Sequence, residues 1–378
     1  MREMDLHEVA EATGGTVHGE GAHLVEHVEI DSRLVRPATL FAAIAGDHVD
    51  GHDFVDQARG SGATGTLCSR PVHGNCVVVD DVTVALGQLA RHNLELIGVP
   101  VIGVTGSQGK TSVKDLLAHV LEGDGPTVAP VGSFNNELGV PLTVLRADDL
   151  TKHLVIEMGA RGVGHIAELC RIAPPTIGVV LNVGTAHLGE FGSPEGIALA
   201  KGELVEALPA DGIAVLNADD PRVAAMRVRT HARVLTFGAS GDVALGAVTL
   251  DDGGEPHFTL THHGVQVDVH VPQIGAHHAI NAAAAAAAAV GAGLDLTTIA
   301  SRLKTASASS PMRMEHHVRA DGLVVINDAY NANPESMAAA LRAVADIGHG
   351  RAVAVLGEML ELGDGSEQAH REIGRLAS

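Results

Sequence analysis

One short stretch of the chain combines the residue types that bind the phosphates of a nucleotide. Residues 105–112 are Thr-Gly-Ser-Gln-Gly-Lys-Thr-Ser. Gly106 and Gly109 allow backbone N–H groups to converge on a phosphate, and Lys110 adds a full positive charge. The strict phosphate-loop motif begins with glycine where this chain has Val104, so the loop is a variant. The alternative is a glycine turn in an unrelated strand–helix unit, which the Lys-Thr-Ser sequence at the junction disfavours.

Three side chains outside the loop could take part in the same chemistry. Glu157 follows an apolar run and could hold Mg²⁺ opposite the phosphates, although a helix N-cap is the ordinary alternative. His187 is one of 23 histidines, but it follows a buried strand and lies in a loop. Lys201 could be an ordinary exposed helical lysine. Three adjacent histidine pairs are interpreted as surface, because neighbouring side chains point apart; they are 262–263, 277–278 and 316–317.

The elements around the loop are predicted to place these residues at one edge of a sheet. The apolar run 99–104 predicts a buried strand, and apolar spacing within 112–121 predicts a helix. Strands and helices alternate from 101 to about 310, as in a doubly wound parallel sheet. Because ligands bind at the carboxyl ends of such strands, Glu157 and His187 should lie on the edge that carries the loop.

The flanking segments predict two further domains. Residues 1–97 resemble a small α/β domain, with strands at 25–30 and 40–45. The polar loop that follows each strand could hold an anionic ligand or could be a solvated turn. After the central domain, 98–310, residues 311–378 predict strands at 323–327 and 352–356 and helices at 334–347 and 367–376. The polar segment 328–334 between the first strand and its helix is a second ligand-edge signature.

The composition excludes several classes of protein. A net charge of −21 over 378 residues disfavours nucleic acid as a partner. The three cysteines lack metal-binding or redox spacing, so they are interpreted as reduced core thiols of a cytoplasmic protein. The charged N-terminus is unlike a signal peptide, and the alanine run 282–289 is too short to cross a membrane. We therefore expect no membrane insertion, and a monomer.

Several motifs, in order, resemble those of the Mur ligases. In the first domain these are Asp-Ser-Arg at 31–33, Leu-Phe-Ala-Ala-Ile-x-Gly at 40–46 and Asp-Gly-His-Asp-Phe at 50–54. More discriminating are Ser-Phe-Asn-Asn-Glu-Leu-Gly-Val-Pro-Leu at 133–142, Glu-Met-Gly-Ala at 157–160 and Asn-Val-Gly-Thr-Ala-His-Leu-Gly at 182–189. The C-terminal motifs are Arg-Met-Glu at 313–315, Asp-Ala-Tyr-Asn-Ala-Asn-Pro at 328–334 and Leu-Gly-Glu-Met-Leu-Glu-Leu-Gly at 356–363.

The resemblance implies a fold and a reaction. The fold would have three domains: a small α/β domain that binds UDP, a central phosphate-loop sheet and a Rossmann-like domain. ATP would convert the terminal carboxylate of a nucleotide-linked peptide into an acyl phosphate, which an amine then attacks to form an amide. Such a step needs positioning and charge neutralisation more than acid–base catalysis. The motifs are most similar to members that add D-alanyl-D-alanine to UDP-N-acetylmuramoyl-tripeptide for the cell wall, and hence serve cell shape and division.

The resemblance also implies residue roles. Lys110, Glu157, His187 and Lys201 would be catalytic, with Lys201 carried as a carbamate. The residues implied to bind ATP are Gly106, Ser107, Gln108, Gly109, Lys110, Thr111, Ser112, Asn281, Arg313 and Asp328. Those implied to hold Mg²⁺ are Thr111, Glu157, His187 and Lys201. Those implied to bind substrate are Ser32, Arg33, Gly46, Asp50, Asn135, Asn136, Asn182 and Asn331.

Two other functions stay open, and one expectation concerns the C-terminal segment. A Mur-type ligase of another pathway would use a different amine, and an inactive protein would bind nucleotide without turnover. The predicted pair of parallel strands in 311–378 is smaller than a Rossmann-like domain and should expose Val324, Val325, Val353 and Val355. We therefore expect this chain to be inactive or severely impaired in ligation while still binding nucleotide. Equal ligation rates for this chain and an extended one would contradict that expectation.

Overall fold

The computed structural model describes residues 1–184, 188–307, 310–348 and 351–378, except the side chains of Leu188 and Asp364. The chain forms two compact units. Unit 1 comprises Met1–Pro100, Phe134–Leu154 and Arg171–Ala173, and unit 2 comprises Val101–Ser133, Val155–Cys170 and Pro174–Ser378. The domain boundaries after residues 97 and 310 stay predictions.

The N-terminal part of unit 1 is built on a five-stranded sheet. Its elements are β1 Met4–Asp5, α1 Leu6–Thr13, β2 Thr16–His18, β3 Leu24–Val25, β4 His27–Glu29, β5 Thr39–Ala42, α2 Val55–Gly60, β6 Ala63–Cys68, β7 Cys76–Val78 and α3 Val82–Ile97. The strand order is β2-β7-β6-β5-β4, in which β4 to β7 run parallel and β2 is antiparallel to β7. The strands predicted at 25–30 and 40–45 are therefore present in shortened form. The three cysteines are buried and free, as expected.

The central part of the chain contains a ten-stranded sheet. Its elements are β8 Val101–Thr105, α4 Lys110–Glu122, β9 Thr127–Val128, α5 Gly139–Val144, β10 His153–Glu157, α6 His165–Ile172, β11 Ile177–Val180, α7 Leu188–Phe191, α8 Pro194–Glu206, β12 Ile213–Asn217, α9 Pro221–Ala224, β13 Arg233–Gly238, β14 Val243–Leu245, β15 Thr249–Leu250, β16 Pro256–His262, β17 Val265–His270, α10 His277–Gly291 and α11 Leu296–Leu303. The strand order is β15-β16-β14-β13-β12-β11-β8-β10-β9, with β17 paired to β16.

Strand β8 lies at the point where the order of the sheet reverses. The chain passes from β8 through α4 to β10 on one side, whereas β11, β12 and β13 follow on the other side in parallel register. Loops that diverge at such a point leave a crevice at the carboxyl ends of the strands. The loop after β8 is therefore placed where doubly wound sheets bind ligands.

Paired glycines bring α8 close to the sheet. Gly103 of β8 pairs directly with Gly178 of β11. A Cβ at Gly103 would lie 2.9 Å from Leu204 Cδ1, and one at Gly178 would lie 3.1 Å from Leu204 Cγ. The missing side chains make room for Leu204 of α8, and Lys201, one helical turn earlier, faces the same side. This packing positions Lys201.

Helix α10 fills the core on the other side of the sheet. All eight alanines of 282–289 are buried against α4, α11 and sheet residues such as Val104 and Val215. Alanine has the highest helix propensity, and its small side chain allows close packing between layers. No helix in the described part of the chain is long and apolar enough to cross a membrane.

The C-terminal segment differs from the prediction. Strands β18 Glu315–Val318 and β19 Val324–Asn327 form an antiparallel pair, and helices α12 Pro334–Ile347 and α13 Ser366–Ala377 follow. The prediction of a strand at 352–356 is wrong, because residues 351–360 have no regular secondary structure. A strand needs a partner for its backbone groups, and β19 is paired only with β18 among the described residues. The four valines expected to be exposed are so, with Val353 at 89% and Val355 at 95%.

Candidate nucleotide-binding site

The loop after β8 ends at an uncapped helix N-terminus. Gly109 is the N-cap residue of α4, has φ +80° and provides no side-chain cap. The N–H groups of the first helical turn therefore face a position suited to an anion. This turn begins with Lys110, Thr111 and Ser112. A Cβ at Gly109 would lie 2.7 Å from Asn281 Oδ1 of α10, so the turn requires glycine for space as well as for its conformation.

A chain of hydrogen bonds links four side chains beside this turn. Arg313 Nη2 donates to Ser133 Oγ at 2.8 Å, and Ser133 Oγ lies 3.0 Å from Thr111 Oγ1. Thr111 Oγ1 donates to Glu157 Oε2 at 2.9 Å. Because the Thr111 hydroxyl has a single proton, Ser133 must be the donor in the bond between the two hydroxyls.

Glu157 and Thr111 meet the requirements of a magnesium site. Glu157 lies at the end of β10 and is 1% exposed. The next helix along the chain begins only at His165, so the helix N-cap alternative is wrong. A carboxylate oxygen and a hydroxyl oxygen side by side are the hard donors that Mg²⁺ takes together with phosphate oxygens. The donor set therefore fits the ion.

One lysine in the loop, Lys110, is half-buried, and another beside it, Lys201, is buried. Lys110 Nζ donates to Gly106 O at 2.9 Å. Lys201 is 5% exposed, so the alternative of an exposed helical lysine is wrong. Burial lowers the pKa of Lys110, although the Glu157 carboxylate opposes the shift. Burial also lowers the pKa of Lys201 far below its usual value, and the positive charge of Lys110 adds to this effect. Both shifts favour neutral amines.

Asn182, after β11, supports the loop from the neighbouring strand. Its Oδ1 accepts from the backbone N–H groups of Ser107 at 2.9 Å and Gln108 at 3.0 Å, and its Nδ2 donates to Gln108 O at 3.2 Å. The N–H of Gly184 donates to Ser107 Oγ at 2.9 Å. Asn182 thus holds the loop, a role that the sequence analysis did not assign, and its contact with a peptide stays a prediction.

C-terminal residues lie beside the hydroxyl chain. The guanidinium of Arg313 lies 4.2 Å from the ring centroid of Tyr330, and Asp328 Oδ1 accepts from Met314 N at 3.0 Å. Burial raises the pKa of Asp328. Arg313 Nε and Gln108 Oε1 are buried without a hydrogen-bond partner in the described part of the chain, so both can bond a ligand.

Ser133 and Tyr330 are the site residues that the sequence analysis missed. Each lies in one of the family motifs quoted above, at 133–142 and 328–334, so membership of a motif was the available signal. Asn331 of the second motif is exposed, and its Oδ1 accepts from Ala332 N at 2.9 Å. His187 lies outside the described residues.

The predicted substrate residues of unit 1 form two polar loops. Asp31, Ser32 and Arg33 follow β4, whereas Gly46 and Asp50 follow β5, and parallel pairing places both loops at one edge of the sheet. Arg33 donates to both carboxylate oxygens of Asp31 and holds the pKa of Asp31 at about 2. Ser32 is buried, and the Arg33 side chain is exposed.

Asp50, in the second loop, is held by a histidine and an arginine. The backbone N–H and ring of His52, followed by Arg70, hold the pKa of Asp50 well below its usual range. Elsewhere in unit 1, Asn136 Oδ1 accepts from Gly139 N at 2.9 Å and so supports the start of α5. Asn135 precedes it in the same motif.

One histidine pair is not on the surface. His278 is 3% exposed in the first turn of α10, and its ring centroid lies 4.2 Å from that of His277. The surface interpretation of this pair is therefore wrong, because the N-terminal turn of α10 is packed inside unit 2. His316 and His317 are exposed, as expected.

The parallel sheet, the loop at its reversal point and the magnesium-type donors define a phosphate-loop α/β protein. Within that class, the model of the Mur ligase middle domain matches residues 104–289, that of the Mur ligase family catalytic domain matches 24–119, and that of the glutamate ligase domain matches 312–378. The chain belongs to the Mur ligase family and has its three-domain architecture.

Named relatives and solved structures agree with this assignment. A protein of Mycobacterium tuberculosis named UDP-N-acetylmuramoyl-tripeptide--D-alanyl-D-alanine ligase is 46% identical, with 100% of this chain and 81% of that protein covered. The crystal structure of MurF from Acinetobacter baumannii matches with a TM-score of 0.91 at 33% identity, covering 99% of this chain and 83% of that one. MurF ligase from Thermotoga maritima, in complex with ADP, matches with a TM-score of 0.78 at 31% identity, covering 93% and 81%.

Proposed function

We propose that this Mur ligase joins D-alanyl-D-alanine to UDP-N-acetylmuramoyl-tripeptide at the expense of ATP. The observation that carries the proposal is the 46% identity, over the whole chain, to a ligase named for this reaction. Its setting would be peptidoglycan precursor synthesis in the cytoplasm, and hence cell shape and division, with the chain acting as a monomer.

The reaction would proceed in two steps, phosphorylation of the carboxylate and attack by the amine. An oxygen of the peptide carboxylate attacks the γ-phosphorus of ATP, so that an acyl phosphate forms and ADP leaves. The amine of the dipeptide then attacks the acyl carbon, inorganic phosphate leaves and the amine releases a proton. Because negative charge accumulates at the phosphoryl group in the first step, the main demands on the protein are orientation and positive charge.

The residues of unit 2 would meet these demands. The loop from Gly106 to Ser112 would hold the phosphates, with the free N–H groups at the start of α4 facing them. Lys110 would supply charge, and Arg313 would reach ATP from the C-terminal segment. Asn281 would contact the adenine, and Asp328 would lie beside the nucleotide.

The metal-binding residues would be Thr111, Glu157, His187 and Lys201 as a carbamate. When bound, Mg²⁺ neutralises charge on the transferring phosphoryl group. The adjacent oxygens of Thr111 and Glu157 and the burial of Lys201 support this assignment.

Unit 1 would bind the UDP part of the substrate. Ser32, Arg33, Gly46 and Asp50 lie in the two loops at one edge of its sheet, which supports recognition of an anionic ligand there. Asn135, Asn136, Asn182 and Asn331 would face the peptide or the incoming amine.

Phosphate release with defined substrates tests the proposal. ATP and Mg²⁺ are supplied with UDP-N-acetylmuramoyl-tripeptide and D-alanyl-D-alanine, and then with either substrate omitted. We expect release, and an amide product of the corresponding mass, only when both are present. Release with a different amine alone would assign the chain to another pathway. ADP binding without release under any condition would identify an inactive nucleotide-binding protein.

A further inference from the structure

Three potential metal ligands, with a further carboxylate beside them, converge on the antiparallel ribbon formed by β15, β16 and β17. His257 of β16 and His270 of β17 are direct partners in the register of the two strands. Directly opposed residues project from the same face of a sheet with Cβ atoms roughly 5 Å apart. Their rings accordingly stack at 4.4 Å between centroids, with 13° between the planes.

Two carboxylates approach these rings. His257 Nε2 lies 3.2 Å from Asp251 Oδ2, and His270 Nε2 lies 2.6 Å from Glu255 Oε2. One ligand atom each of Asp251, His257 and His270 lies within 4.8 Å of the other two. The rings therefore turn their nitrogens, rather than carbon edges, toward the carboxylates.

The backbone orients the Asp251 carboxylate. Its Oδ1 accepts from the N–H groups of Gly253 at 2.9 Å and Glu255 at 3.0 Å, in the turn between β15 and β16. These bonds occupy one oxygen and direct the other, Oδ2, toward His257. The cluster thus combines a fixed carboxylate with two imidazoles that the strand register holds together.

From this arrangement we propose that Asp251, His257 and His270, with Glu255 beside them, bind a zinc ion. Imidazole nitrogen with carboxylate oxygen suits Zn²⁺, whereas Mg²⁺ prefers oxygen alone. Tetrahedral zinc with bonds of about 2.1 Å separates its ligand atoms by roughly 3.4 Å. Because the two rings are nearly parallel, they must rotate out of the stack for a nitrogen of each to reach one ion. The side chains are 29–48% exposed, which leaves room for the ion to enter and for water to complete its shell.

The proposed site is separate from the nucleotide site. In the strand order, β16 lies five positions from β8, which is on the order of 24 Å at normal strand spacing. Zinc there would cross-link β16, β17 and the turn before β16. It should therefore raise the thermal stability of the chain without being needed to bind nucleotide.

The inference is tested by titrating the untagged chain with zinc. Excess Mg²⁺ is present to occupy oxygen-only sites. His257→Gln/His270→Gln should lose one equivalent of bound Zn²⁺ per chain and the zinc-dependent rise in melting temperature. The matched control is His262→Gln/His263→Gln, which removes two histidines from the opposite end of the same ribbon. It should bind zinc like the unaltered chain.

A second variant guards against loss of folding. Asp251→Asn retains shape and both imidazoles but should weaken zinc binding at least tenfold, and ADP binding should stay unchanged in every variant. Equal zinc stoichiometry and affinity in the two histidine double variants would overturn the inference. Unaltered affinity in Asp251→Asn would also overturn it.

Discussion

Half-buried Lys110 and buried Lys201 both lose hydration at the phosphate loop, a cost that a bound nucleotide would partly relieve. Lys110 and Lys201 each lose hydration, and the positive charge of Lys110 lowers the pKa of Lys201 further. Anionic phosphates near Lys110 would favour its charged form. The pKa of Lys201 is lowered well below its usual value, which would favour the neutral amine that the predicted carbamate requires. At the scale of the residue, the surroundings of the two lysines therefore support the different roles predicted for them.

Replacing Lys110 should abolish ATP turnover. Lys110→Ala removes the positive charge that stabilises the transferring phosphoryl group. The activation free energy should rise by about 3 kcal/mol or more, which lowers the rate more than a hundredfold. Phosphate release measures this effect, and circular dichroism checks the fold. Lys304→Ala, at an exposed position of unit 2, is the control. Near-normal turnover in a folded Lys110→Ala protein would refute the role of the loop.

Replacing Lys201 tests the predicted carbamate. Lys201→Ala should lose ligation activity, and a short carboxylate such as acetate should restore part of it by supplying the missing oxygen ligand. The unaltered protein should lose activity when CO₂ is removed, and its spectrum should contain a carbamate carbon after labelling with ¹³C-bicarbonate. Full activity of Lys201→Ala would contradict the prediction.

At the scale of the element, the junction between β8 and α4 depends on one glycine. Gly109→Ala would introduce strain at φ +80° and a contact with Asn281. Gly98 at the end of α3 has φ +63° with nothing within 4 Å of an added Cβ, so Gly98→Ala isolates the cost of the backbone conformation.

The two glycine variants should therefore behave differently. Gly98→Ala should lose about 1 kcal/mol of stability, and Gly109→Ala should lose at least as much because of the added contact. Only Gly109→Ala should also weaken ADP binding, by at least tenfold, because the loop and helix N-terminus must shift. Calorimetric titration with ADP measures the affinities. Equal ADP affinity in the two variants would show that the turn tolerates the added methyl group.

The first turn of α10 should make the fold sensitive to acid. Burial lowers the pKa of His277 to about 4 and that of His278 well below its usual value, which is near 6.5. Above pH 6.5 both imidazole rings are mainly neutral in the folded and in the unfolded chain. Below it the unfolded chain binds protons first, so the free energy of unfolding falls as the pH decreases from 6.5 toward 4, by on the order of 2–3 kcal/mol for His277 alone.

Urea unfolding at pH 7.5 and pH 5 measures this sensitivity. His277→Gln/His278→Leu should lose less stability between the two pH values than the unaltered chain. The exposed pair provides the control, because His316→Gln/His317→Gln should retain the full decrease. An unchanged decrease in the α10 variant would assign the acid sensitivity to other groups.

At the scale of the whole molecule, a chain with net charge −21 would have to recognise anionic substrates in the proposed reaction. General attraction cannot help, so local groups must supply the positive potential. In unit 2 these groups would be Lys110, Arg313 and the N-terminus of α4, and in unit 1 Arg33 is exposed beside Asp31. Substrate selection should therefore depend on particular sites rather than on the charge of the molecule.

The acceptor should be a dipeptide. With D-alanyl-D-alanine, D-alanine and a diamino acid offered together, we expect the D-alanyl-D-alanine product to predominate, because the motifs at 133–142 and 328–334 resemble those of ligases with this acceptor. Mass spectrometry of the products gives their ratio independently of the absolute rate. Preference for the diamino acid would move the chain to a sibling activity.

The sequence by itself determined the phosphate loop and the elements on either side of it. The glycine–lysine order and the apolar spacing in 99–121 are local patterns, and local hydrogen bonding and side-chain periodicity decide such elements. The strand end at Glu157 was predictable for the same reason. Ordered motifs also identified the family before any contact was known.

Tertiary structure alone decided which polar groups are buried and which strands pair. Lys201 is buried because Gly103 and Gly178, distant in sequence, admit α8 to the sheet. His278 is buried because the start of α10 packs within unit 2, although its sequence resembles that of the exposed pair 316–317. Residues 352–356 have the composition of a strand but no partner among the described residues. Burial and strand pairing depend on long-range contacts, which local patterns do not encode.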